Sequence, residues 1–491
     1  MMTRREFGAA MAAPAFAQSR PSRMNVLFLI SDQHRGDCVG GLAHTPHMNR
    51  LAREGTTFRN AYSSTPSCTP ARAGLLTGLS PWNHGMLAYG RVAPRYAYEM
   101  PRVMGEHGYY TAAIGKLHYT PQRNLHGYQF ALLDESGREE SIDFRSDYRS
   151  WFHSEAPGLD PDATGVGFND YNAKPYVLPE RLHPTRWTGD CAVRFLENYQ
   201  RPEPFFLNVS FARPHSPFDP PQRWMDFYQE RELPAPAVGK WAEKYAPRSS
   251  DRNDIWHGDV GAVEVRKSRQ GYYGSVSFVD EQIGRMLEAL ERRGMLESTL
   301  IVYTSDHGDM TGDHHMWRKS YAYEPSARVP MLVRLPGGKQ NQTLEEPVEL
   351  RDLFPTFLDA AGASPQQRLD GRSLLGLARG RQEEWREWID LEHGICYDKS
   401  NQWTALTDGK WKYIHHGLTG EEQLFDLTRD RAEVKDLSRE AGAPLTLWRQ
   451  RMVAHLEPRG ADWVKNGRLA TRGNFHQYSP LYPRNPGTGG R

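Results

Sequence analysis

What most constrains this chain is a pattern that occurs at four places: a short apolar run leading directly into Asp, Lys or His. Met24–Ile30 runs into Ser31-Asp32-Gln33-His34, and Thr111–Ile114 into Gly115-Lys116-Leu117-His118. Phe205–Phe211 runs into Ala212-Arg213-Pro214-His215, and Thr299–Tyr303 into Ser305-Asp306-His307-Gly308. Runs without alternation read as strands buried on both faces. Between them lie amphipathic stretches: a helix opened by Thr45-Pro46, with Thr45 as cap, one over 186–199, and one over 278–293. Strands alternating with helices predict an α/β fold around a mostly parallel sheet. Open sheets of this kind bind ligands beyond the carboxyl ends of their strands, so the polar clusters are expected to converge on one site.

At 491 residues the chain exceeds a single simple core. A helix over Leu353–Ala361, capped by Asp352, is followed by a loss of periodicity over 363–386, where we place a domain boundary. Beyond it, Trp403–Thr407 and Lys410–Ile414 flank Asp408-Gly409 as a hairpin, Gln423–Leu427 adds a strand, and Pro444–Leu456 reads as a helix. The expectation is a catalytic domain over 24–375 and a smaller antiparallel α+β domain over 385–491. Two polar stretches, 134–176 and 229–262, read as long surface insertions. The balance of 61 basic and 60 acidic residues gives no footprint for nucleic acid, and no apolar run is long enough to span a membrane. The scattered Cys38, Cys68, Cys191 and Cys396 form neither a disulfide framework nor a zinc spacing. Residues 1–17, with Arg4-Arg5 before an Ala-rich stretch and Ala15-Phe16-Ala17, resemble a twin-arginine export signal and predict a periplasmic or secreted protein.

The chemistry centres on Cys68-Thr69-Pro70-Ala71-Arg72. Pro70 suits a first helical turn, which places Cys68 at a helix N-terminus where anions are favoured. Arg72 adds a cationic fork one turn along. Asp32, Asp306 and His307, with Gln33 as a neutral oxygen donor, make a divalent metal site of the calcium, magnesium or manganese kind. Lys116 and His118 are two residues apart and would point the same way from an extended chain. With Arg72 and Lys319, Lys116 completes a cluster of cations suited to charge on a transferring oxyanion. His118 and His215 are proton carriers near neutral pH. Gly308 and Gly312 are read as points of close approach to a ligand.

Together these segments resemble the type I sulfatases of the alkaline-phosphatase-like superfamily. Cys68-Thr69-Pro70-Ala71-Arg72 matches the motif whose cysteine is oxidised to formylglycine. Ser31-Asp32-Gln33, Gly115–His118, Arg213–His215, Ser305–Gly308, Lys319–Pro330 and Leu424–Leu427 match in the expected order. The resemblance implies a sulfuric ester hydrolase matured by a formylglycine-generating enzyme. Its hydrated aldehyde at residue 68 attacks sulfur and then collapses to release sulfate. It also implies metal ligands Asp32, Gln33, Asp306, His307 and residue 68, with calcium the usual ion. Arg72 and Lys116 would hold the diol, His118 would assist its collapse, His215 would protonate the leaving oxygen, and Lys319 would bind sulfate. Gln33 and His307 stand where many members carry aspartate and asparagine, a set shared with the related phosphonate monoester and phosphodiester hydrolases. A non-catalytic binder of sulfated glycans is the reading of another class, opposed by the intact catalytic set. The substrate, a sulfated small molecule or carbohydrate, is expected beside Tyr89, Arg91, His314 and Trp317.

Overall fold

The computed structural model describes residues 23–138 and 143–483; the expected export signal at 1–17 lies outside the described residues. In chain order the strands are β1 (Asn25–Asp32), β2 (Thr56–Phe58), β3 (Ala61–Tyr62), β4 (Tyr110–Gly115) and β5 (Phe130–Leu133). They continue as β6 (Phe205–Pro214), β7 (Thr299–Ser305), β8 (Met331–Arg334), β9 (Gln342–Leu344) and β10 (Val348–Glu349). The last four described in detail are β11 (Ile389–His393), β12 (Trp403–Thr407), β13 (Trp411–His416) and β14 (Glu422–Asp426).

Eight strands form the main sheet in the order β5-β4-β6-β1-β7-β8-β2-β9. From β5 to β7 every pair is parallel, whereas β8 runs antiparallel to both neighbours. The unbroken apolar character of β1 has a simple cause. Val26, Phe28 and Ile30 enter one core with the helices Cys68–Thr77 and Leu353–Ala360, while Leu27 and Leu29 enter another with Pro184–Asn198 and Ala262–Arg292. Strands covered on both faces have no solvent side to mark with polar residues.

β11 to β14 form a separate antiparallel sheet in sequence order. Gly409 turns its hairpin at φ +81°, as the Asp-Gly signal predicts. The helix Gly442–Leu456 covers it through Trp448, Met452 and Leu456. β11 has no apolar signature because Asp390 and Glu392 are buried against Arg351 and Arg459.

Several expectations are corrected. The helix expected over 278–293 begins at Ala262 and runs 31 residues. Its first half carries Gly271 and Gly274 as close-packing positions. A Cβ on Gly271 would stand 2.5 Å from Ala173, and one on Gly274 2.8 Å from Pro220. Thr45 does not cap the helix Pro46–Glu54; the Asp280 carboxylate does, accepting from the His47 and Met48 amides at 3.1 and 2.7 Å. Asp352 likewise accepts from Glu349 and Arg372 rather than capping the helix after it. The 134–176 stretch is more than surface: it holds the helix Asp147–Glu155 and buries Asp134, Glu135, Tyr148 and Phe152.

Candidate functional site

Parallel strands end at one edge, so β1, β4, β6 and β7 deliver Asp32, Lys116, His215 and Asp306-His307 to the same place. Cys68 arrives from the side as the first residue of the helix Cys68–Thr77, all of whose residues are buried. Ser67, at its N-cap, makes no side-chain cap, so the amides of a buried first turn face the site with the positive end of the helix.

Asp32, Cys68, Asp306 and His307 each present a donor atom, and these atoms lie within 4.8 Å of one another. The Cys68 Sγ stands 3.2 Å from His307 Nε2 and 3.7 Å from Asp32 Oδ1. His307 Nδ1 donates to the Gly308 carbonyl at 2.9 Å, which turns Nε2 into the cluster. Two carboxylates and an imidazole whose Nε2 faces inward, once that nitrogen gives up its proton, suit a divalent cation bound mainly through oxygen. Gln33 is adjacent: its Oε1 accepts from Lys319 Nζ at 2.8 Å, and its Nε2 donates to Asp309.

The cations are fixed around this cluster. Arg72 Nε donates to Asp306 Oδ2 at 3.0 Å, and its Nη1 to the Lys116 carbonyl at 2.6 Å and Ser210 Oγ at 3.1 Å. Lys116 Nζ pairs with Asp32. Lys319 Nζ also donates to His215 Nε2 at 2.7 Å, while His215 Nδ1 donates to the Ser216 carbonyl at 2.7 Å. His118 is held by its backbone amide, which donates to Glu135 Oε1 at 3.1 Å; its ring lies edge-on to Tyr89. Its φ of +58° shows that the extended geometry expected for Lys116 and His118 is replaced by a turn.

These contacts set protonation. Burial opposes charge on Asp32, yet Lys116, His215, His307 and Arg72 hold its carboxyl well below the usual range. Burial and Asp32 push the Cys68 thiol up, and Lys319, Lys116 and His307 outweigh them, bringing it to about 7. Burial followed by Lys319 holds His215 well below the histidine range, and burial followed by Lys116 does the same to His118.

A cavity of about 440 Å³ opens over the cluster, with Cys68 and Lys319 at its floor and Tyr89, Arg138, Asn169, Arg318 and Tyr397 among its walls. Of the four residues expected beside the substrate, Tyr89 alone lines it. Trp317 is buried with its indole N–H on the Gly258 carbonyl at 2.9 Å, and His314 is buried with Nδ1 accepting from the Gly239 amide. Both are packing residues, although Arg318 and Lys319 of the same segment line the cavity. Arg91 lines a different cavity, beside Arg123 and Arg145. Gly308 and Gly312 serve packing rather than a ligand: a Cβ on Gly308 would lie 2.0 Å from the Pro325 carbonyl oxygen, and Gly312 turns at φ +90° beside Trp317.

Sequence reasoning missed Glu135 and Asp309, which position His118 and Gln33, and the wall residues Arg138, Asn169 and Ile395–Tyr397. Asp309 had a signal, since it lies three residues beyond Asp306. The wall residues come from loops, and no local pattern reports where a loop folds back.

A family model described as Sulfatase matches residues 24–363, and one described as N-sulphoglucosamine sulphohydrolase, C-terminal, matches 312–454. An arylsulfatase of Clostridium perfringens is 36% identical over 470 residues, spanning 91% of this chain and 97% of its own. A choline-sulfatase of Rhizobium meliloti is 30% identical, spanning 89% and 88%. Among solved structures, the phosphonate monoester hydrolase of Agrobacterium radiobacter aligns with a TM-score of 0.75 and 26% identity, over 89% of this chain and 96% of that one.

Proposed function

Because the chain belongs to the sulfatase family and carries its alkaline-phosphatase-like fold, we propose that it hydrolyses a sulfate monoester at the buried end of the 440 Å³ cavity. One observation carries this reading: an acidic four-donor cluster and a set of fixed cations meet at the N-terminus of the helix that begins with Cys68. In this reading residue 68 works as a formylglycine made from Cys68, whose hydrate supplies an oxygen nucleophile. Asp32, Asp306, His307 and residue 68 would hold a divalent ion, with the Gln33 amide oxygen at its edge. Calcium, manganese and magnesium all fit a donor set of this kind, and such an ion supplies Lewis acidity to an oxygen nucleophile.

The chain's own residues divide the remaining work. Arg72 and Lys116 pair with Asp306 and Asp32 and hold both carboxylates in place. Lys319 presents its ammonium toward the thiol position, where a sulfate oxygen would sit. Lys319 and His215 share a proton across 2.7 Å, which makes them the pair to protonate the leaving oxygen. His118, anchored through Glu135 and held neutral, would accept a proton from residue 68. We also propose export to the periplasm or beyond on the strength of the twin-arginine pattern; N-terminal sequencing of mature protein would show a start after residue 17.

The Asp-Gln and Asp-His ligand pattern and the structural likeness to a phosphonate monoester hydrolase favour a second reading, cleavage of phosphonate or phosphate diesters at the same site. Rates on phenyl sulfate and on the phenyl ester of a phosphonate, measured side by side with metal supplied, separate the two. The expected result is higher kcat/KM for the sulfate; a higher value for the phosphonate ester overturns the first reading.

A further inference from the structure

The charges at the floor of the cavity pair off among themselves, whereas two on its wall do not. Arg72 and Lys116 answer Asp306 and Asp32, and Lys319 is engaged by Gln33 and His215. Arg138 and Arg318 also line the cavity. Among the described residues neither faces a carboxylate at ion-pair distance. Arg138 Nη1 and Arg318 Nε are buried donors with no hydrogen-bond partner. A buried N–H left unbonded costs about 1–3 kcal/mol, more when charged, so two at one wall call for an acceptor from outside the chain.

Arg318 is also held in place. Its guanidinium lies 4.5 Å from the centre of the Tyr397 ring, and its Nη1 donates to the Asp254 carbonyl at 3.2 Å. Tyr397 is itself backed by Trp256, stacked at 5.9 Å. A stacked planar fork is preorganised for an oxyanion, and little freedom is lost on binding one. Arg138 lines the same cavity as Cys68 and lies close enough to His118 and His215 to be felt by both.

We propose that Arg138 and Arg318 form a second oxyanion site, so that the substrate is a sulfate ester whose leaving group carries another negative group, a carboxylate or a second sulfate. The inference rests on the sulfatase reading for which end of the substrate enters first. It excludes neutral alcohols and cationic leaving groups as preferred substrates, since two unanswered guanidiniums would repel or waste them.

Binding to the Cys68→Ala protein tests it without turnover. The probes are phenyl sulfate, 3-carboxyphenyl sulfate, 4-carboxyphenyl sulfate and the disulfate of benzene-1,3-diol, titrated by calorimetry at fixed ionic strength. At least one doubly anionic probe should bind about tenfold or more tightly than phenyl sulfate. Adding Arg138→Gln or Arg318→Gln should shrink that ratio severalfold, and both together should bring it near one. Equal affinity for all four probes, or a ratio that neither substitution moves, overturns the proposal. The carboxylate and disulfate probes distinguish the two sources of the second charge. The sulfatase reading fails separately, if unsubstituted, metal-supplied protein leaves every probe unhydrolysed while the binding ratio holds.

Discussion

Two buried clusters of charge sit in this fold, one at the carboxyl edge of the main sheet and one between β3 and β13. In the second, Lys412 Nζ donates to Glu324 Oε1 and Glu433 Oε1, both at 2.9 Å. Tyr62 donates to Glu324 at 2.8 Å, and the Glu324 amide to Glu433 at 2.6 Å. Arg328 stands 2.8 Å from the other Glu324 oxygen. Each charge there faces an opposite one inside the protein, and no ligand is needed to complete it. The catalytic cluster differs in what lies beside it: its Cys68 and Lys319 line the 440 Å³ cavity, and His118 Nδ1 is buried without a hydrogen-bond partner among the described residues. Buried charge by itself therefore does not mark function in this chain. Buried charge that opens onto a cavity does.

The sharpest way to break that comparison is to remove one group from each cluster. Cys68→Ala should lower turnover of an aryl sulfate by about 10⁴-fold or more while costing stability only on the order of 1 kcal/mol; kinetics and thermal melts on one sample check both. His215→Ala should cost roughly 10²–10⁴-fold on phenyl sulfate and clearly less on 4-nitrophenyl sulfate, whose leaving oxygen needs little protonation. Equal losses on the two would remove His215 from proton transfer. Lys412→Met should do the reverse of Cys68→Ala. It leaves Glu324 and Glu433 buried without their shared cation, at roughly 3–5 kcal/mol in denaturant unfolding, with kcat of the folded fraction unchanged.

The smallest expected effect concerns Asp280, the carboxylate that caps Pro46–Glu54. Burial raises it from 3.8 to about 7, against the pull of the Met48 and His47 amides. Between those values the folded state keeps a proton that the unfolded chain releases, so this group lowers stability as pH rises from about 4 to about 7. Asp280→Asn removes that slope. The melting temperature of the variant minus that of the parent should increase between pH 5 and pH 8; a difference that stays flat would show that Asp280 titrates normally.

The main sheet and the reacting groups were legible because both depend on local order. An apolar run fixes a strand, the residue after it fixes a position at the strand end, and parallel pairing brings such ends together. That logic places Asp32, Lys116, His215, Asp306 and His307 within one cluster. It fails where tertiary packing decides. Trp317 and His314 lie within a few residues of Lys319 in sequence, yet their rings are buried against Gly258 and Gly239 while Arg318 and Lys319 line the cavity. Glu135 and Arg138 come from a polar stretch read as surface, and Ile395–Tyr397 from a loop after β11, a strand whose own charges hid it.

The central claim is that residue 68 acts as an aldehyde rather than a thiol. Cys68 is 1% exposed in the folded chain, so a modifying enzyme must reach it before folding, and export by a twin-arginine route would carry the finished protein. Mass spectrometry of the peptide holding Cys68, taken from active protein made in its native host, measures this directly. The expected spectrum shows the sulfur lost and a carbonyl gained at residue 68, in proportion to specific activity. Full retention of the thiol in fully active protein would contradict the account.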